Sequence, residues 1–330
     1  MAETSWKVVA RLPTACLLVL ALALASPSWA GFPASGQHYP NGAEDFVVGA
    51  LPPPGVYLKT YFALIQKDRL KGSLGLPPFA GVKDDAKTPV DFEADVAVVV
   101  PRFIWVTPWS LFGASVATQA FFPLHWTEVR STGLGIATEE AALGDIIYTP
   151  VALGWHFGPN LHVILAEDLF LPTGEYQSAD IGTQLLSKNH WTFESVLAVT
   201  YLWQGVDFSA KFMYDFNTEN DDYVLGGAPG KLDPGQELHI DWALSYAKGE
   251  GLRYGISGYA YWQTTKDEFT PDGGGGKMKA PKGQVFAAGP TIKYWPKQGR
   301  FSAVLKHQWE FGAENLPEGQ TTWLNIVWVF

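Results

Sequence analysis

The segment VDFSAKFMYDF, residues 206–216, alternates apolar and polar side chains with a period of two residues. Such alternation is typical of a β-strand, because successive side chains point to opposite faces. One face suits lipid and the other suits water, and the same division recurs at 237–246 and 300–311. The apolar face has Val206, Phe208, Ala210, Phe212, Tyr214 and Phe216, whereas the polar face has Asp207, Ser209, Lys211, Met213 and Asp215.

The same alternation along the whole chain predicts twelve strands. Most of them span ten to fifteen residues, and a tilted strand needs ~9–11 residues to cross a bilayer. The pattern therefore predicts an all-β fold, a transmembrane antiparallel up-and-down β-barrel of about twelve strands. The predicted strands lie near 55–65, 91–105, 110–122, 145–157, 161–171, 190–203, 206–216, 236–247, 252–264, 284–295, 299–311 and 320–330.

The connections between these strands alternate in length. Those after the even strands are short: VTPW, FGPN, WQG, AKGEG and WPKQG. Those after the odd strands are mostly long and polar or Gly-rich, near 66–90, 123–144, 172–189, 217–235 and 265–283, with a shorter one at 312–319. Bacterial outer-membrane barrels have short periplasmic turns and long outer loops. A secreted soluble β-sandwich is the alternative, but it has no reason to sort its loops in this way.

Aromatic side chains gather at the two ends of the predicted strands, as expected of the girdles at a membrane surface. The chain ends with TTWLNIVWVF, residues 321–330, which predicts a last strand that closes the barrel against the first. Trp328 and Phe330 lie in the predicted periplasmic girdle. A C-terminal aromatic residue is also the signal that the outer-membrane assembly machinery reads, so we expect that machinery and the lipid bilayer to be partners.

The first thirty residues predict a signal peptide. Lys7 and Arg11 precede an apolar run of eleven residues, too short to span a bilayer as a helix, and the small residues before Gly31 predict cleavage between Ala30 and Gly31. The single cysteine lies inside this segment, which excludes disulfides and thiolate metal sites from the mature chain. The formal net charge of −10 argues against a nucleic-acid partner.

The chain therefore divides into a signal peptide (1–30), an N-terminal periplasmic or lumen segment (31–54) and an outer-membrane barrel (55–330). The second segment is rich in Gly and Pro, and it either plugs the lumen or forms a loose periplasmic tail. Its plug candidates are His38, Tyr39, Asn41, Glu44, Asp45 and Phe46. Polar residues on the strands are candidates to line the lumen: Glu93, Asp95, Glu194, Asp207, Lys211, Asp215, Glu237, His239, Asp241, Arg253, Lys306 and Glu310.

Catalytic and cofactor motifs are not evident in the sequence. GGGGKMK at 273–279 resembles a phosphate loop but has Met278 where a Ser or Thr should coordinate magnesium. GASVA at 113–117 lacks the second glycine of a hydrolase nucleophile elbow. The histidines are scattered, with His239 beside Glu237 and Asp241 the most notable group. We therefore expect no catalytic residues, no cofactor, no metal site and no enzymatic activity.

Several short motifs resemble the outer-membrane family of phenol meta-degradation pathway proteins, sometimes called SphA-like. They are HYPNGAEDF (38–46), PPPGVY (52–57), LGWHFG (153–158), PTGEY (172–176), YDFNTENDDY (214–223) and GYAYWQTTKD (258–267). The resemblance implies a Gram-negative outer-membrane barrel that takes up small hydrophobic, especially aromatic, compounds, and it favours the plug over the loose tail. Two outer loops depart from the family pattern, around DIGTQLLSKNHW and VLGGAPGKLDPGQELH. A lipid-modifying enzyme and a structural or adhesive barrel are the alternative functions.

Overall fold

The computed structural model describes residues 38–71, 92–131, 136–178, 181–225, 227–249, 251–274, 276–296 and 300–330. The predicted signal peptide, its cleavage site at Ala30 and Gly31, and residues 31–37 lie outside these ranges. No helix in the described ranges is both long and apolar enough to cross a membrane.

Twelve antiparallel strands form a closed ring, which confirms the predicted fold. In ring order they are β1 (Gly55–Leu70), β2 (Glu93–Leu111), β3 (Ala114–Phe121), β6 (Ile146–Phe157), β7 (Leu161–Leu171), β8 (Thr192–Trp203), β9 (Val206–Asn217), β12 (Glu237–Ala247), β13 (Leu252–Gln263), β16 (Gln284–Tyr294), β17 (Phe301–Glu314) and β18 (Pro317–Val329). The last strand pairs with the first, so that Tyr57 lies opposite Val329 and no edge stays open. Phe330 extends this pairing, since its amide donates to the carbonyl of Val56 at 3.1 Å.

The long connections carry further strands that the sequence analysis did not predict. β4 (Leu124–Ser131) and β5 (Ile136–Leu143) form a hairpin that pairs with the start of β2, over Glu93–Val99. A separate small sheet contains β10 (Asn220–Leu225), β11 (Ala228–Asp233), β14 (Glu268–Pro271) and β15 (Met278–Lys279). A six-residue helix, α1 (Ile181–Leu186), lies between β7 and β8. These elements cover the end of the barrel opposite the short turns, which we call the outer end.

The first short turn does not lie at VTPW, as the sequence suggested. β2 continues to Leu111, and the turn is Phe112–Gly113, with φ angles of 51° and 76°. Left-handed φ angles at both positions match the right-handed twist of a two-residue hairpin. Pro108 lies instead within an irregularity of the β2–β3 pairing, where a residue without an N–H group is tolerated.

The outward face is an apolar belt and the inward face is polar over much of the ring. On β9, Phe208 and Phe216 are 48% and 51% exposed, whereas Asp207 and Asp215 are fully buried inside the barrel. Trp328 and Phe330 are also exposed on the outside, at 47% and 73%. A belt of exposed aromatic and aliphatic side chains is stable only against lipid.

Candidate functional site in the barrel lumen

The N-terminal segment, residues 38–54, runs through the lumen from the outer end down to the start of β1. Its backbone amides donate to inward-facing side chains: Gly49 N to Thr200 Oγ1 at 2.8 Å, and Val47 N to Asp207 Oδ2 at 3.1 Å. On the other side of the lumen, Asn325 Nδ2 donates to the carbonyl of Ala43 at 3.1 Å. The segment therefore contacts β8, β9 and β18 and lies across the interior.

Lys306 on β17 holds the turn at Gly42 in this segment. Its ammonium, fully buried, donates to the carbonyls of Ala43 and Glu44 at 2.9 and 2.6 Å, and also to that of Gly42. Gly42 has a φ of +78°, and a Cβ atom there would lie 2.7 Å from the ring of Tyr259. Only glycine fits this turn without strain, because the conformation is left-handed and the wall is in contact.

Two carboxylates of the segment meet cations of the wall. Glu44 accepts from Lys59 Nζ and from Arg102 Nη1, both at 2.8 Å. Asp45 lies 3.4 Å from Lys59 and 3.7 Å from Lys293. Buried charges are stable only when paired. These ion pairs therefore fix the position of the segment against β1, β2 and β16.

Asp241 on β12 makes the complementary contact, because here the wall supplies the anion. The hydroxyl of Tyr39 donates to Asp241 Oδ2 at 2.8 Å. The amides of Gly42 and Glu44 donate to the same carboxylate at 2.8 and 3.0 Å. Tyr39 also packs under Lys211, whose ammonium lies 4.7 Å from the ring centroid.

A row of four carboxylates crosses the adjacent strands β7, β8, β9 and β12 near the outer end. Asp168 lies opposite Glu194, Glu194 opposite Asp215, and Asp215 opposite Glu237. We call this set the acidic row. All four are buried, and the basic side chains beside them are Lys211, 3.5 Å from Glu194, and His239, 3.2 Å from Asp215.

A cavity of about 390 Å³ lies between the N-terminal segment and the outer loops. Small-molecule sites typically have volumes of ~300–1,000 Å³ and an apolar lining with few polar groups. Here one side is almost wholly apolar, and we call it the apolar wall: Ala94, Val96, Val98 and Val100 on β2 with Phe121 and Val129. Leu185 and Leu186 of α1 line the outer side.

Asp145, between β5 and β6, ties the N-terminal segment to the loop that carries α1. Its carboxylate accepts from His38 Nε2 at 2.8 Å, from the Ser187 hydroxyl at 2.8 Å and from the Lys188 amide at 2.9 Å. Burial alone would raise the pKa of Asp145, but the hydrogen bonds from His38 and from the amides of Lys188 and Gly174 lower it to about 2. The carboxylate is therefore ionised at neutral pH and holds the loop over the cavity.

Most of the predicted lumen residues face inward, but two of them do not. Glu93 and Asp95 are exposed on the outside of β2, and Asp95 accepts a hydrogen bond from Gln66 at 3.1 Å. This part of β2 pairs with the β4–β5 hairpin beyond the point where β3 ends, so carboxylates on its outward face meet water. The inward positions are Ala94 and Val96. The other ten lie inside: Glu194, Asp207, Lys211, Asp215, Glu237, His239, Asp241, Arg253, Lys306 and Glu310.

The sequence analysis missed three parts of the site. The apolar wall lies on β2, where apolar residues on both faces hide the alternation over Val96–Val100. Asp168 stands next to Glu167, and only the register shows that Asp168 is the inward one. Asp145 lies outside any strand, and chain distance gives no sign that it meets His38.

The plug candidates of the sequence all lie within the described part of the segment. His38 stacks on Phe170 with ring centroids 5.1 Å apart, and Phe46 is 3% exposed. Asn41 contacts His239 at 2.6 Å. His239 groups with Glu237 and Asp215 rather than with Asp241, which the segment occupies.

Comparisons with solved structures find outer-membrane barrels. The COG4313 outer membrane channel from Pseudomonas putida F1 is 18% identical, with a TM-score of 0.70 over 86% of this chain and 98% of that chain. The transport unit of the autotransporter AIDA-I from Escherichia coli is 8% identical, with a TM-score of 0.53 over 86% of this chain and 92% of that chain. The Pseudomonas putida toluene transporter TodX has a TM-score of 0.49 at 11% identity, over 90% of this chain and 96% of that chain, which is too low to support any inference.

A comparison with curated proteins finds no significant match. A family model described as "Putative MetA-pathway of phenol degradation" matches residues 80–326. That range covers β2 to β18 and therefore nearly the whole barrel. With its closed ring and apolar belt, the protein is a β-barrel of the bacterial outer membrane, and it belongs to the phenol-degradation MetA-pathway family.

Proposed function

We propose that this protein is an outer-membrane channel for the passive uptake of small hydrophobic compounds, aromatic ones in particular. The observation that carries the proposal is the cavity of about 390 Å³ bounded by the apolar wall and reached from the outer loops. Family membership and the fold shared with the COG4313 channel support it. The polar outer leaflet slows hydrophobic solutes, whereas an apolar cavity takes them up because transfer from water is favourable.

The N-terminal segment is the plug of this channel. It fills the lumen below the cavity and makes polar contacts on opposite sides of the ring, with Thr200 on β8 and Asn325 on β18. A solute that enters the cavity passes to the periplasm when part of the segment moves aside. Passive transport needs no more than this, because the concentration gradient supplies the driving force.

Uptake by intact cells tests the function. A Gram-negative strain that expresses the chain would be compared with the same strain carrying an empty vector, both supplied with radiolabelled toluene at low concentration. We expect a higher initial rate of uptake with the chain and no change for labelled glucose. Equal toluene rates, with the protein shown by heat-modifiable electrophoresis to be folded in the outer membrane, would contradict the proposal.

Ion conductance tests the plug separately. Deletion of residues 31–50 should raise single-channel conductance in planar bilayers, because an aqueous path opens through the ring. A deletion variant that folds and conducts no better than the full mature chain would refute the plug while leaving the uptake result intact.

A further inference from the structure

The acidic row contains a compact group of possible metal ligands. Nε2 of His239 lies 3.2 Å from Asp215 Oδ2 and 3.4 Å from Glu237 Oε2. One ligand atom from each of the three residues lies within 4.8 Å of the others. All three side chains are completely buried. The group joins two strands, β9 and β12, that are neighbours in the ring.

The environment of His239 leaves Nε2 as its free nitrogen. Nδ1 lies 2.6 Å from Oδ1 of Asn41, and an amide oxygen can only accept, so Nδ1 carries the hydrogen. In neutral imidazole, Nε2 then presents a lone pair towards Asp215 and Glu237. Metal-bound histidines usually donate their other N–H group to an oxygen acceptor, as His239 does here.

Several atoms around this group have no hydrogen-bond partner in the described part of the chain. They are both carboxylate oxygens of Asp215, both of Glu194, Glu237 Oε2 and His239 Nε2. Buried polar atoms normally have partners, because an unpaired one costs ~1–3 kcal/mol and a charged one costs more. The other oxygen of Glu237 does have a partner, since the hydroxyl of Tyr261 donates to it at 2.9 Å. The unpaired atoms of His239, Asp215 and Glu237 therefore converge on one place.

A cation would satisfy these atoms. A proton on His239 supplies only a single N–H group, which cannot satisfy carboxylate oxygens on both sides. A divalent cation at Nε2 would contact both carboxylates.

We propose that His239, Asp215 and Glu237 bind a divalent first-row transition-metal ion such as Zn²⁺. The imidazole nitrogen favours zinc and its neighbours in the series over Ca²⁺ or Mg²⁺, which prefer oxygen ligands alone. This site goes beyond the proposed transport function. Asn41 belongs to the N-terminal segment and holds His239, so the bound ion stabilises the segment in the lumen.

Zinc binding to the purified protein tests this site. The full mature chain, folded in detergent and treated with a chelator, would be titrated with Zn²⁺ by calorimetry, and bound metal would be counted by mass spectrometry after gel filtration. The variants are Asp215→Asn and His239→Gln, which keep the size and polarity of the side chain. The control is His307→Gln, which removes a histidine on β17 that instead contacts Thr322 at 2.8 Å. Heat-modifiable electrophoresis verifies that each variant is folded.

We expect one zinc ion per chain in the wild type and in the control, and an affinity lowered by more than about tenfold in both site variants. A wild type without stoichiometric zinc, or site variants that bind zinc as well as the control, would overturn the proposal. If the site variants do not fold, X-ray absorption at the zinc edge of the wild type decides. A nitrogen and oxygen shell that includes one imidazole supports the site, and a shell of water alone refutes it.

Discussion

The two sides of the upper lumen differ in chemistry although both are made of strands from one ring. The apolar wall offers valine and aromatic surface to the cavity, whereas the acidic row opposes it with four buried carboxylates. The N-terminal segment lies across the interior, held by polar side chains such as Asp241 and Lys306. Polar contacts therefore fix the segment, and the apolar side is left open for a solute. One surface of the interior positions the segment, and another lines the space for the solute.

Among single substitutions, Lys306→Met is expected to have the largest effect on the contacts that fix the segment. The change keeps the length of the side chain but leaves the carbonyls of Gly42, Ala43 and Glu44 without their buried donor. A buried carbonyl left without a donor costs ~1–3 kcal/mol, and three are affected here, so the segment should detach from the wall. Hydrogen exchange at the amides of Val47 and Gly49 should increase by more than about 100-fold, and single-channel conductance should increase.

Lys293→Met is the matched control for this change. Lys293 also faces the segment, but its ammonium lies 3.7 Å from Asp45 and its side chain is 23% exposed. Weak, partly solvated ion pairs contribute ~1 kcal/mol or less. If the amides of Val47 and Gly49 exchange at the same rate in the two variants, the contacts of Lys306 are not what holds the segment.

The sequence predicted the ring well and the interior only in part. Period-two alternation in β9 identifies Asp207, Lys211 and Asp215 as inward, because lipid and water impose opposite demands on the two faces. Beyond the bilayer both faces of a strand can meet water, so polar residues there do not mark the inward face. For this reason the sequence analysis placed Glu93 and Asp95 on the wrong face. Contacts between the segment and the wall, such as Asn41 with His239, join residues that are 198 positions apart. No periodicity encodes such pairs.

Gly42→Ala should have the next largest effect. The left-handed conformation costs a non-glycine residue ~1–2 kcal/mol, and the new methyl group would collide with the Tyr259 ring and Gln308. We expect faster exchange at the amide of Glu44 by about tenfold or more. Gly274→Ala has the same backbone strain at φ +80° but open space around it. If the amide of Glu44 exchanges at the same rate in both variants, packing against the wall is not what fixes this turn.

Polarity on the apolar wall should change transport rather than structure. Val98→Asn places an amide in the cavity lining, and burying an unpaired amide costs ~1–3 kcal/mol. The initial rate of toluene uptake should therefore decrease about tenfold, since the free energy of the solute in the cavity rises. Val98→Ala shortens the side chain without adding polarity and should retain most of the rate. A large loss in both variants would indicate that shape and not apolar character determines passage.

The smallest effect concerns the outer loop that closes the cavity between the two sides. Burial lowers the pKa of His190 to about 3 and that of His125 to about 4, with nearby Lys188 acting in the same direction on both. Both imidazoles are therefore neutral in the closed loop, and its stability is complete above the ordinary histidine pKa of ~6.5. That stability decreases as the pH falls from there towards 4 and 3, because the open loop then binds protons that the closed loop does not.

Asp145 does not oppose this trend within the same range, because its pKa is lowered to about 2 and it stays ionised. Hydrogen exchange of the 173–178 and 181–190 amides, corrected for its intrinsic pH dependence, should rise by more than about fivefold between pH ~7.5 and ~5. His190→Gln combined with His125→Gln should remove most of this rise while leaving exchange at Gly49 unchanged, because that amide bonds Thr200 in the lower lumen. A rise that persists in the double variant would mean that the charged side, and not the loop, responds to acid.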